Sequence, residues 1–176
     1  MDSKIILEDT RNQLSHHSIK HKWFDENGIE VRRTKLYVGD YTLPTDQSIC
    51  IDTKKDIQEL VGDICGKSHV RFRNELIRAE EAGIKLIILV ENKGGEIGNT
   101  GIINPTIRDL KDLHSWKNPR LFIRRNGKQL YPSATRGVTL MKACMTMERE
   151  YLCSFLFTTP EESGAKIMEI LTEKGE

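Results

Sequence analysis

The sequence reads VGDYTLPTDQSICIDTK from Val38 to Lys54, and this stretch predicts two β-strands joined by a turn. Tyr41–Leu43 and Ile49–Ile51 are rich in residues that favour strands, whereas the Pro-Thr-Asp-Gln segment between them has turn chemistry. Because side chains two positions apart on a strand share one face, Asp52 and Lys54 are expected to project together. The hairpin also brings the preceding Gly-Asp pair opposite them. Two carboxylates and one ammonium therefore gather in a small space.

Asp40, Asp52 and Lys54 form a set suited to the hydrolysis of a phosphodiester. Mg²⁺ or Mn²⁺ held by carboxylates acts as a Lewis acid and lowers the pKa of a bound water. Since Mg²⁺ usually takes only one or two protein carboxylates, Asp40 and Asp52 suffice as direct ligands. Lys54 would orient or activate the attacking water, or hold the phosphate as a point charge. The alternative interpretation is a solvated hairpin, because an acid-x-Lys pattern is common by chance.

Composition and charge predict one globular domain spanning residues 1–176. Hydrophobic residues make up 38% of the chain and charged residues 30%, as in folded proteins rather than disordered ones. No repeat, low-complexity tract or linker divides the chain. The net charge of +1 and the pI near 7.7 give no overall signature of a nucleic-acid partner. Any contact with DNA must therefore come from local basic clusters.

The cysteine pattern and the apolar runs indicate a cytoplasmic protein with reduced thiols. The cysteines are Cys50, Cys65, Cys144 and Cys153, and no close-spaced pair suggests a structural zinc site. No signal peptide opens the sequence, and no apolar stretch approaches the roughly 18 residues of a membrane span. We therefore expect no membrane association.

Helices and strands alternate along the chain, which predicts an α/β domain with a mixed sheet. Ile84–Val90 is almost continuously apolar, as expected of a central strand buried on both faces. Glu91–Asn104 is rich in glycine and is interpreted as a mobile loop. Further strands are predicted at Lys4–Leu7, Ile29–Lys35 and Ser154–Phe157, and helices at about Gln13–Asn27, Asp56–Cys65, Val70–Ala82, Ser133–Tyr151 and from Thr158 or Thr159 to about Lys174.

From Ile5 to about Val90 the chain resembles the XPF-type nuclease domain, a branch of the PD-(D/E)xK superfamily. That family opens with a strand ending in Asp-x-Arg-Glu, continues through a Gly-Asp-Tyr hairpin to Glu-Arg-Lys, and then has arginine-bearing helices and an apolar strand. The corresponding runs here are Asp9-Thr10-Arg11-Asn12, Gly39-Asp40-Tyr41, Asp52-Thr53-Lys54 and His69-Val70-Arg71-Phe72-Arg73. The second half matches only loosely small stand-alone domains of this type from phages and bacteria. The resemblance implies a restriction-endonuclease-like fold, in which helices flank a central mixed β-sheet.

The resemblance also implies a Mg²⁺- or Mn²⁺-dependent DNA endonuclease, often one that acts on branched or flapped DNA. By position, Asp40 and Asp52 would be metal ligands and Lys54 the catalytic lysine. Asp9 would be a further catalytic, metal-binding acid at the rim, with Arg11 beside it against DNA. The remaining predicted DNA contacts form a basic helix start, for which a solvated surface is the alternative: Lys67, His69, Arg71 and Arg73.

This sequence departs from the family pattern at three positions of the motifs. Asp52 replaces a glutamate, and Thr53 replaces an arginine on what is expected to be the opposite face of the strand. Asn12 stands where the opening motif has glutamate, so either Glu8 or Asp9 compensates or an acidic position is lost. The helix-hairpin-helix domain that often accompanies these nucleases is also absent. Specificity would then come from a homodimer or a protein partner, and a catalytically inactive DNA-binding or scaffolding module is the alternative function.

Other polar clusters are assigned weaker roles. Arg71 and Glu75 are four residues apart, which predicts an ion pair on one helix face. The histidines at 16, 17 and 21 are interpreted as an exposed helix face. Arg124, Arg125 and Lys128 surround an Asn-Gly turn, and a solvated hairpin is preferred there over a phosphate-binding tip.

Overall fold

A six-stranded mixed β-sheet forms the centre of the computed structural model, which describes residues 4–13, 15 and 17–173. Two short hairpins lie outside this sheet. The strands are β1 (Lys4–Asp9), β2 (Ile29–Thr34), β3 (Tyr41–Thr42), β4 (Ile49–Lys54), β5 (Lys85–Glu91), β6 (Gly95–Glu96), β7 (Ile103–Asn104), β8 (Arg124–Arg125), β9 (Lys128–Gln129) and β10 (Cys153–Thr158). The helices are α1 (Ser18–Glu26), α2 (Ile57–Cys65), α3 (His69–Glu81), α4 (Gly137–Glu150) and α5 (Ser163–Thr172).

The strand order is β10-β5-β4-β3-β1-β2. β4, β5 and β10 pair in parallel, as do β1 and β2, while the short β3 pairs antiparallel with both β1 and β4. Helices cover both faces of the sheet, so the predicted α/β fold with a central mixed sheet is confirmed. None of the described helices is long and apolar enough to cross a membrane.

Two hydrophobic cores lie on the opposite faces of the sheet, and β5 serves both. Leu86, Ile88 and Val90 pack on the core beneath α2, α3 and α4. Ile87 and Leu89 pack on the core beneath α1 and α5. This alternation follows from the two-residue period of a strand and explains why the predicted central strand is apolar at every position. All four cysteine thiols are free.

The helix α2 begins where its sequence predicts. Asp56 accepts a hydrogen bond from the backbone N–H of Glu59 (2.7 Å), which satisfies one of the unpaired donors at the helix start. The Asn126-Gly127 turn between β8 and β9 is also as predicted, since both residues have positive φ angles (50° and 75°).

Three helices, α1, α4 and α5, are shorter than predicted. After β1 the chain makes a turn, in which the backbone N–H groups of Arg11 and Asn12 bond to Asp9, and α1 starts only at Ser18. The last helix starts at Ser163, because Thr159 donates to the Glu162 side chain (2.9 Å) instead of capping the backbone. Its predicted end at Lys174 lies outside the described residues. The predicted loop 91–104 contains the short β6–β7 hairpin.

The helix α4 starts at Gly137 rather than at Ser133, and the reason is a close approach of two backbones. A Cβ atom on Gly137 would lie 2.1 Å from the carbonyl oxygen of Leu113 and 2.4 Å from that of Trp116. The 3₁₀ helix Leu110–Ser115 therefore packs directly on the first turn of α4. Only glycine permits this contact.

We predict that Gly137→Ala destabilises the protein by about 2 kcal/mol, because the added methyl overpacks a backbone contact. The matched control is Gly62→Ala in α2, where nothing lies within 4 Å of the added methyl. That change should be neutral or stabilise by up to about 1 kcal/mol, the difference in helix propensity. Urea unfolding measures both, and equal stability of the two variants would show that the contact does not fix α4.

Candidate active site

An open cleft of about 770 Å³ lies at the end of β4, between the start of β3 and the helices α2 and α3. It contains Asp40, Asp52 and Lys54, together with charged neighbours from β1 and α3. Six of its lining residues are Asp9, Arg11, Asp40, Asp52, Lys54 and Glu75. The predicted hairpin thus brings Asp40, Asp52 and Lys54 together.

Asp40 is held in place by the backbone of β4. Its N–H donates to the carbonyl of Ile51 (2.6 Å), and its Oδ2 accepts from the N–H (2.8 Å) and the Oγ1 (2.7 Å) of Thr53. Gly39 has a φ of 71°, and a Cβ there would lie 2.9 Å from Ile51 O. This explains why a glycine directly precedes Asp40. Thr53 was expected on the opposite face of the strand from Asp52, yet it lines the cleft and contacts Asp40.

Asp52 is 7% exposed and carries an incompletely bonded carboxylate. Its Oδ2 lies 2.8 Å from Lys54 Nζ in an ion pair, but no donor makes a well-directed hydrogen bond to that buried atom among the described residues. Burial raises the pKa of Asp52 to about 7, Lys54 opposes the rise, and the carboxylates of Asp40 and Glu75 add to it. Burial likewise raises the pKa of Asp40.

Lys54 is clamped between two carboxylates. Its Nζ lies 2.8 Å from Asp52 Oδ2 and 2.7 Å from Asp63 Oδ2, and 5.3 Å from the centre of the Phe72 ring. Burial works to lower the pKa of Lys54, but the two carboxylates raise it above its ordinary value. Lys54 is therefore an ammonium at neutral pH. Asp63, two residues before the end of α2, was not predicted as part of the site.

Glu75 of α3 belongs to the cleft. Its Oε1 accepts a hydrogen bond from the backbone N–H of Gly39 (3.1 Å), so it supports the loop that carries Asp40. The predicted ion pair with Arg71 is wrong, since Arg71 instead lies 3.9 Å from Asp63 and is 82% exposed. The docking of α3 against the hairpin turns Glu75 towards the cleft.

Asp9 lines the cleft, but its carboxylate is fully occupied. Oδ1 accepts from the N–H and Nε of Arg11 (both 2.7 Å), while Oδ2 accepts from Arg11 Nη2 (3.0 Å) and from the N–H of Leu36 (2.8 Å). Although burial works to raise the pKa of Asp9, these bonds lower it. This arrangement orients Arg11, 60% exposed, and does not favour the predicted metal role of Asp9.

Glu8 does not compensate for Asn12, because it points to the opposite face of β1. It is fully buried and accepts hydrogen bonds from Tyr41 Oη (2.9 Å) and from His21 Nε2 (3.0 Å). His21 was expected on an exposed helix face, but it is half-buried against Glu8. His16 lies outside the described residues. Asn12 itself lines the cleft, and its buried Nδ2 has no hydrogen-bond partner among the described residues.

The structure places only one residue of the predicted basic helix start at the cleft. Arg71 lines the cleft, as Arg11 does, whereas Lys67, His69 and Arg73 do not. Arg73 donates instead to Tyr151 Oη (3.0 Å) beyond the end of α4.

A buried lysine also reaches the cleft from α1. Lys20 is 3% exposed, lines the cleft and forms an ion pair with Glu91, which also accepts from Ser163 Oγ (2.8 Å). This network joins α1, β5 and α5 behind the site. Its only sequence signal is that Lys20 shares a helix face with the buried Phe24.

The carboxylates at the centre of the cleft fit an ion such as Mg²⁺ that takes only two protein carboxylates as ligands. Among the described residues, no three His, Cys, Asp or Glu side chains form a ready metal cluster. Asp40 and Asp52 nevertheless offer oxygens that Mg²⁺ or Mn²⁺ prefers, and waters and phosphate complete such sites. The buried Asp52 Oδ2 has the Lys54 ammonium beside it but no well-directed hydrogen-bond donor among the described residues, so it is the oxygen to which a metal ion would add a bond.

A mixed sheet of this order, with acidic side chains and a lysine at the end of the hairpin, defines a restriction-endonuclease-like protein. The family model for the ERCC4 domain matches residues 8–171, and the chain therefore belongs to the ERCC4 domain family. That family is part of the restriction-endonuclease-like superfamily.

Two solved structures are similar to the chain: XPF from Aeropyrum pernix, and XPF from Aeropyrum pernix in complex with DNA. Each gives a TM-score of 0.58 at 16% sequence identity, and they cover 97% and 96% of this chain, respectively. The chain spans 66% and 63% of their length. At this identity the likeness shows the fold alone. No curated protein matches the chain.

Proposed function

We propose that this protein is a divalent-metal-dependent endonuclease that hydrolyses phosphodiester bonds in DNA, with branched or flapped DNA as its substrate class. Membership of the ERCC4 domain family supports a nuclease, and the cleft supports the chemistry. The observation that carries the proposal is the convergence of Asp40, Asp52 and Lys54 in one open cleft.

Asp40 and Asp52 are proposed to hold Mg²⁺ or Mn²⁺. When bound, the ion supplies a Lewis acid for the phosphate oxygens and lowers the pKa of a water. Burial already raises the pKa of Asp52, with a further contribution from Asp40. These carboxylates repel each other without a cation, so they are poised to bind one.

Lys54 is proposed to act as a fixed positive charge. Its two carboxylate partners keep it protonated, so it cannot take a proton from the attacking water. It can donate hydrogen bonds to a phosphate oxygen or orient the water. The water's proton must then leave to solvent or to another group at the cleft.

Asp9 is proposed to position Arg11 rather than to bind metal. Its four hydrogen bonds leave the carboxylate no free direction, while the exposed Arg11 guanidinium stands at the rim where DNA would enter. Arg71, also exposed at the cleft, is the second proposed phosphate contact.

The second candidate function is a DNA-binding or scaffolding module without catalytic activity. The occupied Asp9 carboxylate and the amide of Asn12 favour it, because both reduce the acidic ligands at the rim. A homodimer or partner protein that supplies specificity is compatible with either function.

Cleavage assays distinguish the two functions. Wild-type protein is incubated with supercoiled plasmid and with flapped DNA in Mg²⁺, Mn²⁺ or EDTA. The enzyme proposal predicts cleavage with a metal and none in EDTA. The inactive alternative predicts salt-dependent DNA binding that is indifferent to metal and no cleavage of either DNA.

A further inference from the structure

We propose that residues 113–147, here called the basic segment, form a second DNA-binding surface for the phosphate backbone beside the cleft. This inference rests on the proposed function for its choice of partner. The segment contains no Asp or Glu, and since the whole chain has a net charge of +1, the rest of the chain is net acidic. Its cations are Lys117, Arg120, Arg124, Arg125, Lys128, Arg136 and Lys142.

These cations are exposed and are not neutralised by carboxylates of the described residues. All seven side chains lie at the surface, and none of them makes an ion pair within the part of the chain that the structure describes. The exposed cations Lys22 and Arg32, and the half-buried Lys166, instead pair with neighbouring glutamates. A surface of one sign without internal partners attracts polyanions.

The basic segment runs from the 3₁₀ helix Leu110–Ser115 into α4, and a hairpin between them carries three of its cations. Asn118 is 1% exposed and ties the base together, because its Nδ2 donates to the carbonyl of Thr135 (2.9 Å). The tip is the β8–β9 hairpin, which carries Arg124, Arg125 and Lys128. A fixed hairpin holds these cations without the entropic cost of ordering a flexible chain on binding.

Arg120 adds a flat surface beside the hairpin. Its guanidinium lies over the ring of Tyr131, 5.7 Å from the centroid, and both residues are exposed. Arginine stacked in this way still presents its N–H groups to phosphate, so the contact holds it in position for an anion.

A second groove adjoins both the cleft and the basic segment. Asp56 and Gln58 line the cleft and this groove, which also borders the loop containing β6. Trp116 and Pro119 of the basic segment line the same groove, and the exposed Lys117 and Arg120 follow them in sequence. The groove thus lies next to both the cleft and these cations, which favours DNA over an acidic protein as the partner.

Salt-dependent binding tests this surface. We compare wild-type protein with the triple variant R124Q/R125Q/K128Q on a fluorescein-labelled duplex of about 30 base pairs in EDTA. Each lost phosphate contact lowers the slope of log K against log [salt] by about 0.9, so the slope should fall by about 2 to 3. At about 0.1 M salt the Kd should rise about tenfold or more.

The matched control is K22Q/R32Q/K166Q, which removes the same charge from ion-paired positions. It should bind as wild type does. Thermal unfolding checks that both variants fold, and the single variant K128Q should shift the slope by about 1. Equal slopes for wild type and R124Q/R125Q/K128Q would overturn the proposal, and loss of poly-glutamate binding with unchanged DNA binding would assign the surface to an acidic protein.

Cleavage by saturating protein separates this inference from the proposed function. The single-turnover rate of R124Q/R125Q/K128Q should equal that of wild type, because the β8–β9 hairpin does not line the cleft. A slower rate with unchanged Kd would contradict a role in binding alone. If wild type does not cleave DNA, the nuclease proposal fails, yet the salt slope still decides the basic segment.

Discussion

Asp52→Asn is expected to reduce DNA cleavage by on the order of 10³-fold or more, equal to about 4 kcal/mol of transition-state stabilisation. The amide removes the negative oxygen that would bind the metal and leaves the shape of the side chain almost unchanged. Single-turnover cleavage of flapped DNA in Mg²⁺ measures the effect. The matched control is Asp46→Asn, an exposed aspartate on the turn of the same hairpin, which should cleave as wild type does.

The same variant should be more stable than wild type when no metal is present. Folding raises the pKa of Asp52 to about 7, so between the unfolded value of 3.8 and about 7 the folded state holds a proton that the unfolded chain has lost. Ionisation of Asp52 therefore costs stability as the pH rises through this window, and the neutral amide of the variant avoids that cost. In EDTA the advantage of the variant should grow from pH 4 to pH 7, to about 3–4 kcal/mol, since each unit of pKa difference corresponds to about 1.4 kcal/mol.

Thermal unfolding at several pH values measures this difference. Excess Mg²⁺ or Mn²⁺ should stabilise wild type and leave Asp52→Asn unaffected, because a ligand stabilises only the state that binds it. If the variant cleaves DNA normally, or if metal stabilises it as much as wild type, Asp52 is not a metal ligand.

Lys54→Met is expected to abolish cleavage and also to destabilise the protein by about 3–5 kcal/mol. Lys54 neutralises two buried carboxylates, and its loss leaves Asp52 without its ion-pair partner and Asp63 with only the exposed Arg71. Urea unfolding and single-turnover cleavage measure the two effects separately.

A second substitution separates structure from chemistry at this position. In K54M/D63N one of the two orphaned charges is gone, so part of the stability should return while cleavage stays absent. Recovery of cleavage in the double variant would show that Lys54 acts only by holding the fold. Asp63→Asn alone should fold and retain partial activity, because Lys54 keeps Asp52 as a partner.

The centre of the site could be predicted from the sequence because its information is local. A glycine that permits a positive φ, a β-prone pair of runs and a two-residue strand period are enough to place Asp40, Asp52 and Lys54 together. The fold class followed from the alternation of elements and from the apolar run of β5. The extent of a single domain over residues 1–176 stays a prediction.

The partners of these residues could not be predicted, because they depend on how helices dock. Asp63 meets Lys54, and Glu75 reaches the cleft, only after α2 and α3 pack on the sheet, and helical spacing alone favoured a surface ion pair for Glu75. The burial of Lys20 could not be predicted, because other charged residues surround it in the sequence of α1. The sequence placed Asp9 at the rim but gave no sign that Arg11 and Leu36 occupy its carboxylate.

The anomalous scattering of Mn²⁺ in crystals of the metal-soaked protein tests the proposed metal site most directly. We predict a manganese ion about 2.0–2.3 Å from carboxylate oxygens of both Asp40 and Asp52, with Lys54 still beside Asp52. A manganese ion bound elsewhere, or none in crystals of protein that cleaves DNA in the same buffer, would contradict the assignment of Asp40 and Asp52 as the metal ligands.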